Sequence, residues 1–208
     1  MVFASREEAG RRLGIRLQQL GVTAHIVLGL PRGGVVVAAQ VAQVLGLPLD
    51  VLVVRKIGHP LHREYALGAL AEHGVVILDD VAIERTVASP SAVEAVVEEE
   101  TQRLHAYESR FHRAPRGSLA GQRVLLVDDG LATGSTMEAA VYSVKTQSVA
   151  SVRVAVPVAS VNAAERIAPQ VDDVIALSID PEFEAVGRYY ESFAQNTDQQ
   201  VLDLLEAG

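Results

Sequence analysis

Six apolar runs recur along the chain: 25–30 (HIVLGL), 49–55 (LDVLVVR), 75–78 (VVIL), 123–127 (RVLLV), 151–159 (SVRVAVPVA) and 171–179 (VDDVIALSI). They are short, rich in β-branched residues and nearly continuous in apolar character, as strands buried on both faces should be. Between them the period lengthens to that of helices. Ser5 and Glu8 have the spacing of a capping box, which predicts a helix from about Arg6 to Leu20. VVVAAQVAQVLG predicts a second helix ending at Gly46. A long amphipathic helix is expected from Pro90, capped by Ser89, to about residue 113. Others are expected over 136–145 and 162–170, and after Asp198. The stretch 56–74 (KIGHPLHREYALGALAEHG) has no clean period and is read as a long loop. Strands alternating with helices predict an α/β fold, a mostly parallel twisted sheet with helices on both faces. Such sheets bind ligands at the carboxyl ends of their strands. PRGG, RKIGHPLHREYALG and DDGLATGST all follow strands in this way.

Composition narrows the function. The 208 residues suit one α/β domain. No apolar run is long enough to span a bilayer, and the first residues lack a signal peptide's apolar stretch, so an intracellular, cytoplasmic protein is expected. The absence of cysteine removes disulfides and thiolate chemistry. Of six histidines, His59 and His62 come closest to a metal pair, and solvated loop histidines are the simpler reading. A net charge of −8 argues against nucleic acid as a partner. Glu98, Glu99 and Glu100 read as a solvated helix face.

The segment VLLVDDGLATGSTM, residues 124–137, carries the chemistry. At a strand-to-helix turn, the amides of Ala132 to Thr136 form an anion site at a helix start. Gly134 allows close approach, and Thr133, Ser135 and Thr136 add hydroxyls. No lysine follows the glycine, so this is not the common nucleotide-triphosphate loop. Asp128 and Asp129 need a different partner from the phosphate. Carboxylates accept bonds from sugar hydroxyls and hold divalent cations. A ribose 5-phosphate satisfies both halves.

VLLVDDGLATGST resembles the phosphoribosyl-pyrophosphate (PRPP) motif of type I phosphoribosyltransferases: an apolar strand, two acids, three variable residues, then T-G-x-T. The resemblance implies a Rossmann-like core over about 21–180 within a single domain, 1–208. It also implies a small hood built from 1–20 and 181–208. By the same resemblance, Asp128 and Asp129 hold the ribose hydroxyls, and Ala132, Thr133, Gly134, Ser135 and Thr136 hold the 5-phosphate. Arg32, Gly33 and Gly34 match the pyrophosphate loop, where the family often has a strained peptide bond. Arg32 can bond phosphate oxygens in a bidentate fashion, and Gly33 permits an unusual backbone conformation.

RKIGHP resembles the R-K-x-G-x-x-P opening of the mobile catalytic loop in adenine phosphoribosyltransferases, with its proline one position early. Arg55 and Lys56 are then the cations that meet the departing pyrophosphate, and with Asp129 they form the expected catalytic set. Glu64 and Glu72 are candidates for contact with the base, although Glu64 can instead pair with Arg63. Ala132 stands where hypoxanthine–guanine enzymes carry an acid, as in adenine-type enzymes, so no general base is assigned. PEFEAVGRYYESF distantly resembles the purine-reading segment of those enzymes. Phe183, Val186 and Tyr189 are candidate acceptor contacts by that resemblance; the alternative is that Phe183, Val186 and Tyr190 pack the tail onto the core.

The resemblance therefore implies transfer of the 5-phosphoribosyl group of PRPP to a nitrogenous base, a purine first, in nucleotide salvage, with Mg²⁺ and release of pyrophosphate. Mg²⁺ would arrive with PRPP and could also be held by Asp128 and Asp129. A homodimer is expected, with the long helix at the site's edge or in the dimer interface. The competing readings are a PRPP-binding regulator and a sugar-phosphate hydrolase.

Overall fold

A computed structural model describes residues 1–86, 88–112 and 117–207. Helix α1 (Arg6–Gln19) opens at Ser5, whose side chain accepts from the Glu8 amide, and Glu8 reaches back to the Ala4 amide. Strand β1 (Ile26–Gly29) leads into helix α2 (Gly33–Leu45), which ends at a left-handed Gly46. Strands β2 (Leu49–Val51), β3 (Val54–Gly58), β4 (Ala66–Ala71) and β5 (Val75–Leu78) come next. Helices α3 (Asp80–Thr86) and α4 (Pro90–Phe111) follow. The remaining elements are β6 (Arg123–Val127), α5 (Ser135–Lys145), β7 (Ser151–Ser160), α6 (Val161–Ile167), β8 (Asp173–Asp180) and α7 (Asp198–Ala207).

Five strands form a wholly parallel sheet in the order β2-β1-β6-β7-β8. Leu13 and Leu17 of α1 and Val37 and Val41 of α2 bury one face of it, against Val27, Leu125 and Ala155. Met137, Val141 and Val144 of α5 and Ala163 and Ile167 of α6 cover the other face, against Leu28, Leu126 and Val154. Apolar burial, at about 25 cal/mol per Å², stabilises both of these interfaces. Helix α1, which the sequence places in the hood, is therefore one of the layers that bury the sheet.

The second sheet differs from expectation. β3, β4 and β5 form a separate antiparallel sheet, where the sequence predicts a loop over 56–74. Its period is hidden by glycines at points of backbone contact. A side chain at Gly58 would strike the Arg63 carbonyl, and one at Gly68 the Ile77 carbonyl. VVIL is a strand, as expected, but it lies at the edge of this small sheet. LDVLVVR is two strands rather than one, since the chain leaves the parallel sheet after Val51. The crossing is pinned by the buried Glu72, whose carboxylate accepts from the Val53 amide at 2.6 Å and whose amide donates to the Val53 carbonyl. Glu72 also meets His112 Nε2 at 2.8 Å. It thus holds the crossing together and does not line the cleft at the ends of the parallel strands. Helix α4 is capped by Ser89, as expected, and its described residues end the helix at Phe111; residue 113 lies outside the described residues. No helix among the described residues is long and apolar enough to cross a membrane.

Candidate active site

The carboxyl ends of β1 and β6 open into a cleft of about 490 Å³. On one wall Asp128 and Asp129 follow directly from β6, with Ala132, Thr133, Gly134 and Thr136 beyond them. Gly134 sits at φ 82°, a left-handed conformation that glycine adopts at little cost, and it turns the chain into α5. Helices α1, α4 and α6 are capped by their own serines, Ser5, Ser89 and Ser160. By contrast, α5 and α2 start with no side-chain cap, so their first amides are left for a ligand. Ser135 points beside the cleft, with Oγ 3.4 Å from both Thr133 Oγ1 and an Arg166 nitrogen.

The acid pair is held by specific contacts. Asp128 Oδ1 accepts from the Asp129 amide at 2.8 Å, and Asp129 Oδ2 accepts from Arg6 Nε at 2.7 Å. Each carboxylate keeps its second oxygen without a hydrogen bond among the described residues. Both acids sit at the floor of the cleft, where desolvation dominates. Burial, then the charge of Asp129, pushes Asp128 well above the usual carboxylate range. Burial also raises Asp129, opposed by the Arg6 guanidinium.

The glycines of PRGG lie directly behind these acids. A side chain at Gly34 would come within 2.6 Å of Asp128 Oδ1, and one at Gly33 would collide with Asp129 Oδ2 and Arg6 Nε. Gly33 has no positive φ, so its role is to leave room, not to adopt the unusual conformation expected of it. The Pro31–Arg32 peptide is cis. Arg32 borders an adjoining cavity of about 260 Å³ together with Arg55, and lies 3.7 Å from Asp198.

The opposite wall comes from β3 and α4. Lys56 faces the cleft and has no ion pair among the described residues. Arg55 donates twice to Glu100, at 2.9 and 2.7 Å, and its guanidinium lies 5.3 Å from the Tyr107 ring. Arg103 joins Glu100 to Glu99, and Arg63 meets Glu99 at 2.6 Å. Glu99 and Glu100 are therefore paired, not merely solvated, and α4 shapes the edge of the site. Arg63 turns to Glu99, which leaves Glu64 free to line the cleft. His59 is buried against His62, with rings 5.6 Å apart, and is not a solvated loop residue. No group of three or more metal-ligating side chains occurs among the described residues.

Of the three tail residues singled out, only Val186 reaches the cleft, leaning against Gly130. Phe183 stacks on Tyr189 at 5.2 Å, and the Tyr189 hydroxyl donates to Asp180. Burial and that bond push Tyr189 up to about 12. Both rings pack against each other in the tail, and neither lines the cleft. Sequence reasoning misses Arg6. The signal for it is a cation in the first turn of a helix, where the helix dipole disfavours positive charge.

A twisted parallel sheet with an acid pair and an uncapped helix start at the ends of its strands defines the class. The phosphoribosyl transferase domain family matches residues 7–191, and the chain belongs to it, as a type I phosphoribosyltransferase family member. It is similar to TT1426 from Thermus thermophilus, at 44% identity over 99% of this chain and 98% of that one, with a TM-score of 0.80. It is also 41% identical to proteins of two Mycobacterium tuberculosis strains, CDC 1551 / Oshkosh and H37Rv, which carry provisional phosphoribosyl transferase names. That match covers 99% of this chain and 46% of each relative, so the chain spans about half the length of those relatives. A Neisseria gonorrhoeae protein solved with bound ppGpp shares the fold alone, at 15% identity over 99% of this chain and 96% of that one, with a TM-score of 0.56.

Proposed function

We propose that this domain transfers the 5-phosphoribosyl group of PRPP to a nitrogenous base, a purine first, and releases pyrophosphate. One observation carries the reading. Two adjacent carboxylates, each with one oxygen not hydrogen-bonded among the described residues, stand beside an uncapped helix start and across the cleft from Lys56, which has no ion pair among those residues. A phosphate seated on the amides of 132–136 puts the ribose diol over the acid pair. The pyrophosphate then extends toward Arg32, Arg55 and Lys56. Lys56 and Arg55 balance the charge that builds on the leaving group, and the β3–β4 hairpin closes to keep water from the oxocarbenium-like centre. Mg²⁺ fits this donor set, because burial leaves the acid pair short of positive charge. Asp128 and Asp129 would hold it together with ligand oxygens, and it would neutralise the departing pyrophosphate. Val186, the Gly130–Leu131 backbone and Glu64 are the acceptor contacts in this reading, and a homodimer in the cytoplasm remains part of it.

The test incubates the protein with PRPP, Mg²⁺ and a panel of bases while following pyrophosphate. Release that depends on a base supports transfer. Release without a base replaces it with a hydrolase, and binding without release replaces it with a regulator.

A further inference from the structure

Segments 3–6 and 189–194 together fasten Asp129. Arg6, at the start of α1 and nearly fully buried, donates from Nε to Asp129 Oδ2 at 2.7 Å. Its Nη1 donates to the Ala194 carbonyl at 2.8 Å, and its guanidinium lies over the Phe193 ring at 3.8 Å. The Tyr190 hydroxyl donates to the Asp129 carbonyl at 2.5 Å. Residues 3–4 and 189–192 are stitched together, with the Phe3 amide bonded to the Tyr189 carbonyl at 2.8 Å and the Glu191 amide to the Phe3 carbonyl at 2.8 Å. The missing side chain at Gly33 provides the space in which Arg6 and Asp129 meet.

We propose that Arg6 is the positioning residue of the ribose site: it occupies one oxygen of Asp129, turns the other into the cleft, and makes that orientation depend on the docked tail. A planar guanidinium suits this task because it can bond the carboxylate along one edge, bond a carbonyl along another, and stack on an aromatic face. The free oxygen of Asp129 is then held toward the sugar before ligand arrives, so little orientational freedom is lost on binding.

The inference rests on the proposed PRPP site, and the experiment separates the two. PRPP affinity is measured by calorimetry, without an acceptor, for the wild type, Arg6→Met, Asp129→Ala and the double variant. Arg6→Met should weaken PRPP binding roughly tenfold or more, as loss of a charge-assisted contact does. In the Asp129→Ala background the same change should alter affinity less than about twofold, because the two residues act as one unit. Unchanged affinity in Arg6→Met overturns the proposal. So does an equal loss in both backgrounds, which would mean that Arg6 serves only the fold. If Arg6→Met does not fold, Arg6→Lys takes its place. It keeps the charge but cannot bridge Asp129 and Ala194, and should weaken binding about threefold or more; wild-type affinity there overturns the proposal. A wild type that does not bind PRPP sinks the functional reading itself, and this inference with it.

Discussion

The two walls of the cleft are built on opposite principles. The wall after β6 is a single contiguous stretch, 128–136, whose donors are mostly backbone amides and whose geometry follows from one strand-to-helix turn. The facing wall is assembled from side chains on separate elements, where Arg55 and Arg63 from the hairpin meet Glu100, Glu99 and Arg103 from α4. A backbone cradle is fixed once the fold forms. A side-chain network can be retuned by single substitutions and can exchange partners when a ligand arrives. On the proposed reading, the first wall sets what kind of molecule enters, and the second sets what happens to it.

The largest expected effect tests that division. Lys56→Met should lower kcat by about 100-fold or more and change PRPP affinity far less, since in the proposed reaction its charge acts on the leaving group. Equal losses in kcat and affinity would give the second wall a binding role instead. Next, Asp129→Asn should weaken PRPP binding by roughly 10- to 100-fold, the range for a charged hydrogen bond; calorimetry that finds wild-type affinity would remove the acid from the ribose site. Gly33→Ala should cost about 1–3 kcal/mol of stability through overpacking and weaken PRPP as well, because the new methyl must displace Asp129 or Arg6. Denaturant melts and titrations on the same sample would detect both.

Two smaller effects sharpen the comparison. Glu100→Gln weakens the largely buried Arg55 pair and should change kcat by less than about fivefold, because the amide oxygen that replaces the carboxylate can still accept from the guanidinium. A fall as large as that of Lys56→Met would make α4 part of the chemistry. Asp128 has a folded pKa above its ordinary value, so the stability tied to its protonated form is present below about 3.8 and is lost as pH climbs through the raised value. Asp128→Asn removes that loss. The variant should melt higher than the wild type at pH 8, by roughly 2–4 °C for each kcal/mol recovered, with the gap narrowing at pH 5. A gap that does not change with pH would show that Asp128 is not buried against its charge.

Legibility follows distance along the chain. The PRPP loop can be read because its donors are consecutive and its strand and helix have clear periods. The capping serines at Ser5 and Ser89 can be read for the same local reason. The β3–β4 hairpin cannot, because Gly58 and Gly68 take positions where its alternation would otherwise show. Phe183 and Tyr189 have the composition of a base-stacking pair, but they turn to each other and to Asp180. Glu72 reads as a candidate base contact because acids near loops often serve function, whereas its partners lie in Val53 and His112.

By itself, the sequence determined the parallel sheet, the helices that cover it, and the glycine-containing strand-to-helix turn with its acid pair. Those features depend on local period, caps and contiguous donors. Only the tertiary structure decided which cation meets Asp129 and brought Arg55 to Glu100. Arg6 reaches Asp129 across 123 positions and Arg55 reaches Glu100 across 45. Side-chain pairs of that kind arise from packing between distant elements, and no periodicity along the chain encodes them.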